Sequence, residues 1–192
     1  MFENIDINKL DKSIRELFPM IYDFEFNGLI LLFGGSIKDI IMNKPIKDLD
    51  FVLLTTKDGE IEKFIDKYDL KFKRNIYKGY KITYNGLDID LTCTRDLYDA
   101  GHLSTDFLFY DIKRKVLIPM GIKNTIRKNV VIEYYYQSYF RTKVRVKKAK
   151  KFVEFLSKDK KKIKIKRRYN RVYELIKSFF RHPSKILKFL DK

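Results

Sequence analysis

The sequence predicts an α+β protein in which helices flank a mixed, mostly antiparallel sheet and a short basic helical segment follows. In the first part of the chain, apolar segments with strand character alternate with segments of helical period, and a hairpin follows. The net positive charge lies in the C-terminal part of the chain. Residues 1–140 hold 21 Lys/Arg and 21 Asp/Glu, so the formal net charge of +17 lies in residues 141–192. We therefore expect a head domain over residues 1–135 and a basic helical neck and C-terminal extension over residues 136–192.

The first half of the head predicts alternating helices and strands. Pro19 marks the end of a first amphipathic segment. A short apolar strand runs into Gly34-Gly35, and the helix that follows has Ser36 as a favourable N-cap and stops before Pro45. The predicted elements, in order, are helix 8–18, strand 29–33, a helix from Ser36, strand 47–54 and helix 60–68.

The second half predicts strands and then helices. Asn85-Gly86 is a typical two-residue hairpin turn between two strands. The lysine-dense residues 158–168 predict a linker. The predicted elements are strands 71–76, 80–84 and 87–93, followed by helices 139–156 and 171–180.

The charge asymmetry predicts a polyanionic partner, either nucleic acid or an anionic membrane surface, and we favour nucleic acid. A solvated lysine-rich face from a biased genome is the alternative. The single cysteine, Cys93, excludes an internal disulfide, and the N-terminus lacks a signal peptide pattern. The apolar run 29–33 is too short for a membrane span. These features predict a cytoplasmic protein.

Two aspartates stand two positions apart in Asp48-Leu49-Asp50. The period of two in a strand puts both carboxylates on one face and Leu49 on the other. Paired carboxylates can hold two Mg²⁺ ions, which is the arrangement that nucleotidyl transfer requires. The solvent face of an ordinary edge strand would have the same pattern.

Gly34-Gly35-Ser36 lies between a strand and a helix N-terminus, where backbone N–H groups can bind a phosphate. A plain turn with Ser36 and Asp39 as a capping pair would look the same.

The combination of these motifs is more specific than either part. Gly34-Gly35-Ser36-Ile37-Lys38-Asp39, followed after a short interval by Asp48-Leu49-Asp50, resembles the head-domain signature of class II tRNA nucleotidyltransferases and bacterial poly(A) polymerases. These enzymes belong to the polymerase β-like nucleotidyltransferase superfamily. The resemblance implies that Asp48 and Asp50 are catalytic ligands of two Mg²⁺ ions. It also implies nucleotide contacts at Gly34, Gly35, Ser36, Lys38, where the family has arginine, and Asp39.

The next family strand carries an acidic residue before a threonine-rich stretch that ends in arginine, and residues 87–95 are similar to it. Asp90 occupies the acidic position and is the predicted third catalytic carboxylate, although Asp88 shares its face. The following family motif is matched only in its second half. There Asp106 replaces an asparagine, and the resemblance implies that Asp106 contacts the nucleotide. Ala100-Gly101-His102 replace its Arg-Arg-Asp. His102 is either a substitute contact or a structural histidine.

Residues 145–152 resemble the neck helix of the family. Arg145 aligns with the arginine that reads the base, and Lys148 replaces a second arginine, so both are predicted to contact the nucleotide. The Glu-Asp pair that helps select CTP and ATP corresponds here to Arg141-Thr142, which does not support CCA-type specificity.

The basic C-terminal part is predicted to hold RNA phosphates. Aromatic residues at 134–136, 139 and 140 either stack on bases or form helix core. The residues predicted to bind RNA are Lys147, Lys151, Lys162, Lys164, Arg167, Arg168 and Arg171.

Together these features predict a template-independent nucleotidyltransferase that uses ATP and/or CTP and adds a nucleotide to an RNA 3′ end, of the tRNA CCA-end or the poly(A) type. Two alternatives remain open: a nucleotidyltransferase with a protein or small-molecule acceptor, and a catalytically degenerate head domain that binds RNA.

Overall fold

A computed structural model describes residues 5–74, 79–97, 103–134, 139–157 and 163–167, with side chains described from residue 143 onwards in the fourth range. Several predictions lie outside these residues or side chains: helix 171–180, His102, the aromatic side chains at 135, 136, 139 and 140, and the RNA-binding assignments of Lys162, Arg168 and Arg171.

The elements follow the predicted order, with additional strands between the hairpin and the last helix. The helices are α1 (Ile7–Leu17), α2 (Met20–Asp23), α3 (Gly34–Ile41), α4 (Glu60–Lys67), α5 (Ile122–Lys128) and α6 (Tyr139–Ser157). The strands are β1 (Leu29–Phe33), β2 (Asp48–Leu54), β3 (Phe72–Arg74), β4 (Tyr80–Tyr84), β5 (Leu87–Thr94), β6 (Leu108–Asp111), β7 (Val116–Pro119), β8 (Val130–Glu133) and β9 (Lys164–Arg167).

Seven strands form one sheet in the order β3-β4-β5-β2-β1-β6-β7. Every neighbouring pair is antiparallel except β2 and β5, which run parallel. The α+β class and the mostly antiparallel sheet are therefore confirmed. The parallel pairing places the start of β2 beside the start of β5, so the aspartates of the two strands lie next to each other.

One face of the sheet carries the main core. Leu49, Phe51 and Leu53 of β2 point to this face and are fully buried. They pack with buried residues of α1, α3, α4, α5 and α6, including Phe18 and Phe64. The opposite face has a smaller apolar cluster around Leu31, Val52 and Phe109. The period of two therefore turns Asp48 and Asp50 away from the main core, as predicted.

The N-terminal end of α3 differs from the prediction. The helix begins at Gly34, and Phe33 is its N-cap residue without a side-chain hydrogen bond. Ser36 therefore lies inside the first turn, and its hydroxyl donates to the Phe33 carbonyl over 2.9 Å. The glycine pair allows this early start, because Gly34 has a φ of +73° that strains other residues.

The predicted linker over residues 158–168 also differs, because part of it is a strand. β9 pairs in parallel with β8 as a separate two-stranded sheet. Ile163 is buried and contributes to a third apolar cluster with Val131, Ala149 and Val153. Buried apolar contacts thus hold in place a segment whose lysine content predicted a solvent-exposed linker.

Candidate active site

Four carboxylates lie on the face of the sheet opposite the main core. Asp48 and Asp50 of β2 are in register with Asp88 and Asp90 of β5, respectively. Strands in a sheet lie about 4.8 Å apart, so the four side chains start from neighbouring backbone positions. The parallel pairing thus produces an acidic patch from residues some 40 positions apart in the sequence.

Asp50 is the most confined member of this patch. A Cβ atom added to Gly34 would lie 3.0 Å from Asp50 Oδ2, and the Gly35 backbone N–H donates to the same carboxylate. Burial, followed by the negative charges of Asp48 and Asp90, raises the pKa of Asp50 to about 7. The glycine turn, Gly34-Gly35, therefore contacts a carboxylate whose surroundings disfavour its charged form.

Ser36 connects the turn to the acidic strand. Besides donating to Phe33, its buried hydroxyl accepts a hydrogen bond from the Asp50 backbone N–H at 3.2 Å. The predicted contact of Ser36 with a triphosphate stays a prediction. What the hydroxyl does in this structure is hold β2 against the start of α3.

Asp88 and Asp90 have different surroundings although they share a face. Lys81 Nζ lies 2.7 Å from Asp88 Oδ2, and Thr83 Oγ1 donates to Asp88 Oδ1 over 3.2 Å. These hydrogen bonds, with that of Lys81 first, lower the pKa of Asp88. The negative charge of Asp90 contributes to the raised pKa of Asp50, and Asp90 is the residue in register with it. Asp90 is therefore the second-strand carboxylate that interacts with Asp50.

Sequence reasoning missed Lys81, which lies on β4 directly opposite Asp90. Its hydrogen bond to Asp88, together with the charges of Asp88, Asp90 and Asp48, raises the pKa of Lys81. A signal was present in the alternation of Tyr80, Lys81 and Ile82, which places Lys81 on the same face as the acids once the hairpin register is known.

Lys38 and Asp106 form a buried ion pair beside the site. Their Nζ and Oδ1 atoms are 2.6 Å apart, and Asp106 Oδ2 accepts from the Leu103 N–H at 2.9 Å. Burial alone would raise the pKa of Asp106, but Lys38 and the Leu103 N–H outweigh it and the net effect is a lowered pKa. Both residues were predicted to contact the nucleotide, and here each neutralises the other.

Helix α6 brings two further predicted nucleotide contacts to the site. Lys148 Nζ lies 3.6 Å from Asp39 Oδ2 on α3. The positive charge of Arg145, which is exposed, acts on both Asp50 and Asp106 and opposes the rise in pKa that burial produces at each carboxyl. Phe152 is fully buried in the main core and fixes this helix in place. The nucleotide contacts of Arg145 and Lys148 stay predictions.

The predicted RNA-binding residues are spread over two elements. Lys147 and Lys151 are exposed on α6, and Lys164 is exposed on β9. Arg167 Nε lies 3.3 Å from Glu133 Oε2, a buried carboxylate of β8, so it has a structural contact of its own.

The carboxylate patch fits Mg²⁺ in the chemistry of its donors, since magnesium prefers oxygen ligands and is commonly held by one or two carboxylates. The mutual repulsion that raises the pKa of Asp50 is also what a cation would relieve. Within the described ranges, however, no three acidic, histidine or cysteine side chains are gathered closely enough to form a metal site as they stand.

None of the described helices is long and apolar enough to cross a bilayer.

Comparison with known proteins connects this geometry to one kind of fold. No protein-family model matches the sequence. No curated protein matches it. Among solved structures, the chain is similar to a CCA-adding enzyme in its apo form, with a TM-score of 0.53, 17% identity, and coverage of 94% of this chain and 45% of that one.

A tRNA nucleotidyltransferase complexed with a primer tRNA and an incoming ATP analog matches with a TM-score of 0.48 and 14% identity, covering 81% of this chain and 46% of that one. This chain thus spans less than half the length of the enzymes it resembles. The apo-form likeness shows that the protein has the fold of a nucleotidyltransferase head.

Proposed function

We propose that this protein is an RNA nucleotidyltransferase that transfers a nucleotide from ATP or CTP to an RNA 3′ end and releases pyrophosphate. The observation that carries the proposal is the confined Asp50 carboxylate, which lies under the glycine turn, beside Asp48 and in register with Asp90. The fold shared with CCA-adding enzymes supports it.

In this proposal Asp48 and Asp50, with Asp90, hold Mg²⁺. Bound there, the metal supplies activation of the acceptor hydroxyl and neutralisation of the leaving pyrophosphate. The reaction forms one bond between the 3′ oxygen and the α-phosphorus and breaks the bond from that phosphorus to pyrophosphate. We assign the proton that the hydroxyl loses to Asp90, the carboxylate that lies in register with Asp50 on the neighbouring strand.

The nucleotide lies on the α3 and α6 side of the acids. Arg145 is an exposed cation on this side, and we assign it to the triphosphate or the base. Gly34 keeps the space above Asp50 open, since any side chain there would approach Oδ2. Lys38 acts as a positioning residue through its pair with Asp106, and Asp39 with Lys148 sets the distance between α3 and α6.

The chain's own basic residues would hold the acceptor. Lys147 and Lys151 of α6 and Lys164 of β9 are exposed in the described part of the protein. Contacts of this kind with phosphates are electrostatic and independent of sequence. These exposed lysines are the residues that we propose to give affinity for RNA, and a preference for tRNA or for another RNA needs direct measurement.

The test is nucleotide incorporation by the Asp50→Asn variant with Mg²⁺, labelled ATP or CTP, and RNA. The proposal requires a loss of at least a hundredfold, because the variant keeps the shape of Asp50 but removes its charge. A melting temperature equal to or above that of the wild type shows that the variant is folded. Full activity in Asp50→Asn would overturn the mechanism.

A second candidate is an RNA-binding head without catalytic activity. It is favoured by one observation, that no three potential metal ligands are gathered as a site within the described ranges. This candidate predicts RNA affinity that Mg²⁺, NTP and Asp50→Asn leave unchanged, together with no incorporation. Affinity that rises with Mg²⁺ and NTP would argue against it.

A further inference from the structure

A single row of residues crosses the face of the sheet opposite the main core, at right angles to the strands. The strand registers place Phe33 opposite Asp50, Asp50 beside Asp90, Asp90 opposite Lys81, and Lys81 opposite Lys73. Residues in register on neighbouring strands project from the same face. The row therefore runs from an aromatic ring through two acids to two lysines at the sheet edge.

The two lysines form a cationic patch beside Asp50 and Asp90. Their backbone positions lie one and two strand spacings from Asp90, which is roughly 5 and 10 Å. Lys81 is tied to Asp88, with 44% of its side chain exposed, whereas Lys73 is exposed and has no ion-pair partner among the described residues. A chain of phosphates passing over this edge would meet Lys73 first and Lys81 next to the acids.

The acids are thus flanked by cations on both sides. The glycine pair begins α3, and Arg145 is on α6, which contacts α3 through Lys148 and Asp39; this is the side on which the proposed function places the nucleotide. The opposite side, over β4 and β3, is the direction from which an acceptor can reach Asp90 without crossing the nucleotide. Its cations suit a polyanion, and no other strand of the described residues pairs with the outer edge of β3.

We propose that Lys73 and Lys81 form a phosphate track that guides the 3′-terminal segment of the RNA acceptor over the β3 edge to Asp90. This inference rests on the proposed function for the identity of the acceptor, and it adds the path that the acceptor takes. Lys81 lies next to the terminal nucleotide, and Lys73 holds a phosphate further from the 3′ end.

An ordinary structural explanation also exists for the exposed position of Lys73. Lysine on an edge strand discourages pairing with another sheet, and β3 is such a strand. On that explanation, replacing Lys73 would affect association of the protein with itself and leave RNA binding as it was. The two explanations therefore differ in a measurable way.

The first test is the affinity of the full chain for a fluorescent single-stranded RNA, measured by anisotropy with EDTA present and NTP absent. We expect Lys73→Gln to weaken binding severalfold and to make the slope of log affinity against log salt less negative by about 0.7, the value for one lost phosphate contact on a single strand. Lys12→Gln is the matched control, because Lys12 is an exposed lysine of α1, on the other face of the sheet. That variant should bind like the wild type.

The second test separates acceptor from nucleotide in the incorporation reaction. Lys73→Gln should raise the KM for RNA and leave the KM for NTP unchanged, and Lys81→Arg should retain more RNA affinity than Lys81→Gln. Equal affinity and salt slope in Lys73→Gln and Lys12→Gln would overturn the track, as would a rise confined to the KM for NTP. If no incorporation occurs at all, the proposed function fails, while the anisotropy result still decides whether the track binds RNA.

Discussion

At the scale of single residues, the surroundings of each carboxylate determine the role that we assign to it. The sequence predicted the pair Asp48 and Asp50 from their spacing, and the period of two turned out to be right. It left Asp88 and Asp90 open as the third carboxylate, because both lie on one face of a strand. The β2–β5 register, which places Asp90 beside Asp50, and the ion pair of Lys81 with Asp88 distinguish them. Such a cross-strand contact has no signature along the chain.

The raised pKa of Asp50 predicts how stability depends on pH in the metal-free protein. The folded state holds this proton up to about pH 7, whereas an unfolded aspartate loses it near pH 3.9. The free energy of unfolding therefore falls as pH rises through this window, because the folded state binds more protons there. Asp50→Asn cannot ionise and avoids this loss, so Asp48, Asp90 and Arg145 no longer act on a charge at this position.

We expect Asp50→Asn in EDTA to exceed the wild type in stability by about 1–3 kcal/mol near pH 8, with the difference disappearing towards pH 4. Thermal or urea unfolding at several pH values measures this. A difference that stays constant across the range would show that Asp50 does not titrate in the way described.

The different surroundings of Asp88 and Asp90 predict different catalytic effects. Asp90→Asn should reduce incorporation by two orders of magnitude or more, as expected for loss of a group that acts at the reacting atoms. Asp88→Asn should cost much less, since its carboxylate is engaged by Lys81 and Thr83. The measurement is kcat for the two variants side by side, and the reverse order would reassign the third carboxylate to Asp88.

At the scale of elements, the turn between β1 and α3 and the anchoring of α6 determine the site. The sequence indicated both elements, from the glycine pair and from helical spacing. It placed the start of α3 two residues late, because Ser36 resembles a cap but instead bonds to Phe33 and to the Asp50 backbone. It also missed β9, since the alternation of Ile163 and Ile165 with lysines was obscured by the charge density.

Gly34→Ala tests the turn, and Gly86→Ala is its matched control. Both glycines have positive φ values, +73° and +80°, but an added Cβ meets Asp50 Oδ2 only at Gly34 and nothing within 4 Å at Gly86. Each variant should lose about 1–2 kcal/mol of stability from backbone strain. Gly34→Ala should in addition displace Asp50 and abolish incorporation, whereas Gly86→Ala should retain it. Equal activity in the two variants would contradict the role of the turn.

Helix α6 offers a comparison of two phenylalanines. Phe152 is fully buried in the main core, whereas Phe155 on the same helix is 48% exposed. Phe152→Ala should cost about 3–5 kcal/mol, and Phe155→Ala should cost far less. Because α6 carries Arg145, we also expect Phe152→Ala to raise the KM for NTP under conditions where it remains folded. Chemical denaturation and initial rates measure the two effects.

At the scale of the whole molecule, the chain combines the fold of a nucleotidyltransferase head with a strongly basic C-terminal part. Its fold class was predictable, because motif spacing and alternating elements agree on one sheet. The strands β6, β7 and β8 were not predicted, since each has four residues and too little alternation to stand out. The paired Lys38 and Asp106 were not foreseen either, because a buried ion pair joins segments 68 positions apart.

We propose that this protein joins nucleotides to RNA, and nucleotide incorporation by the wild-type chain is the direct test. Purified protein with Mg²⁺ is supplied with each labelled NTP in turn and with either mixed tRNA or an unstructured RNA. The account predicts Mg²⁺-dependent extension of an RNA 3′ end by ATP or CTP with release of pyrophosphate. Absence of incorporation with every NTP and both RNAs, from protein that is folded and binds RNA, would contradict it.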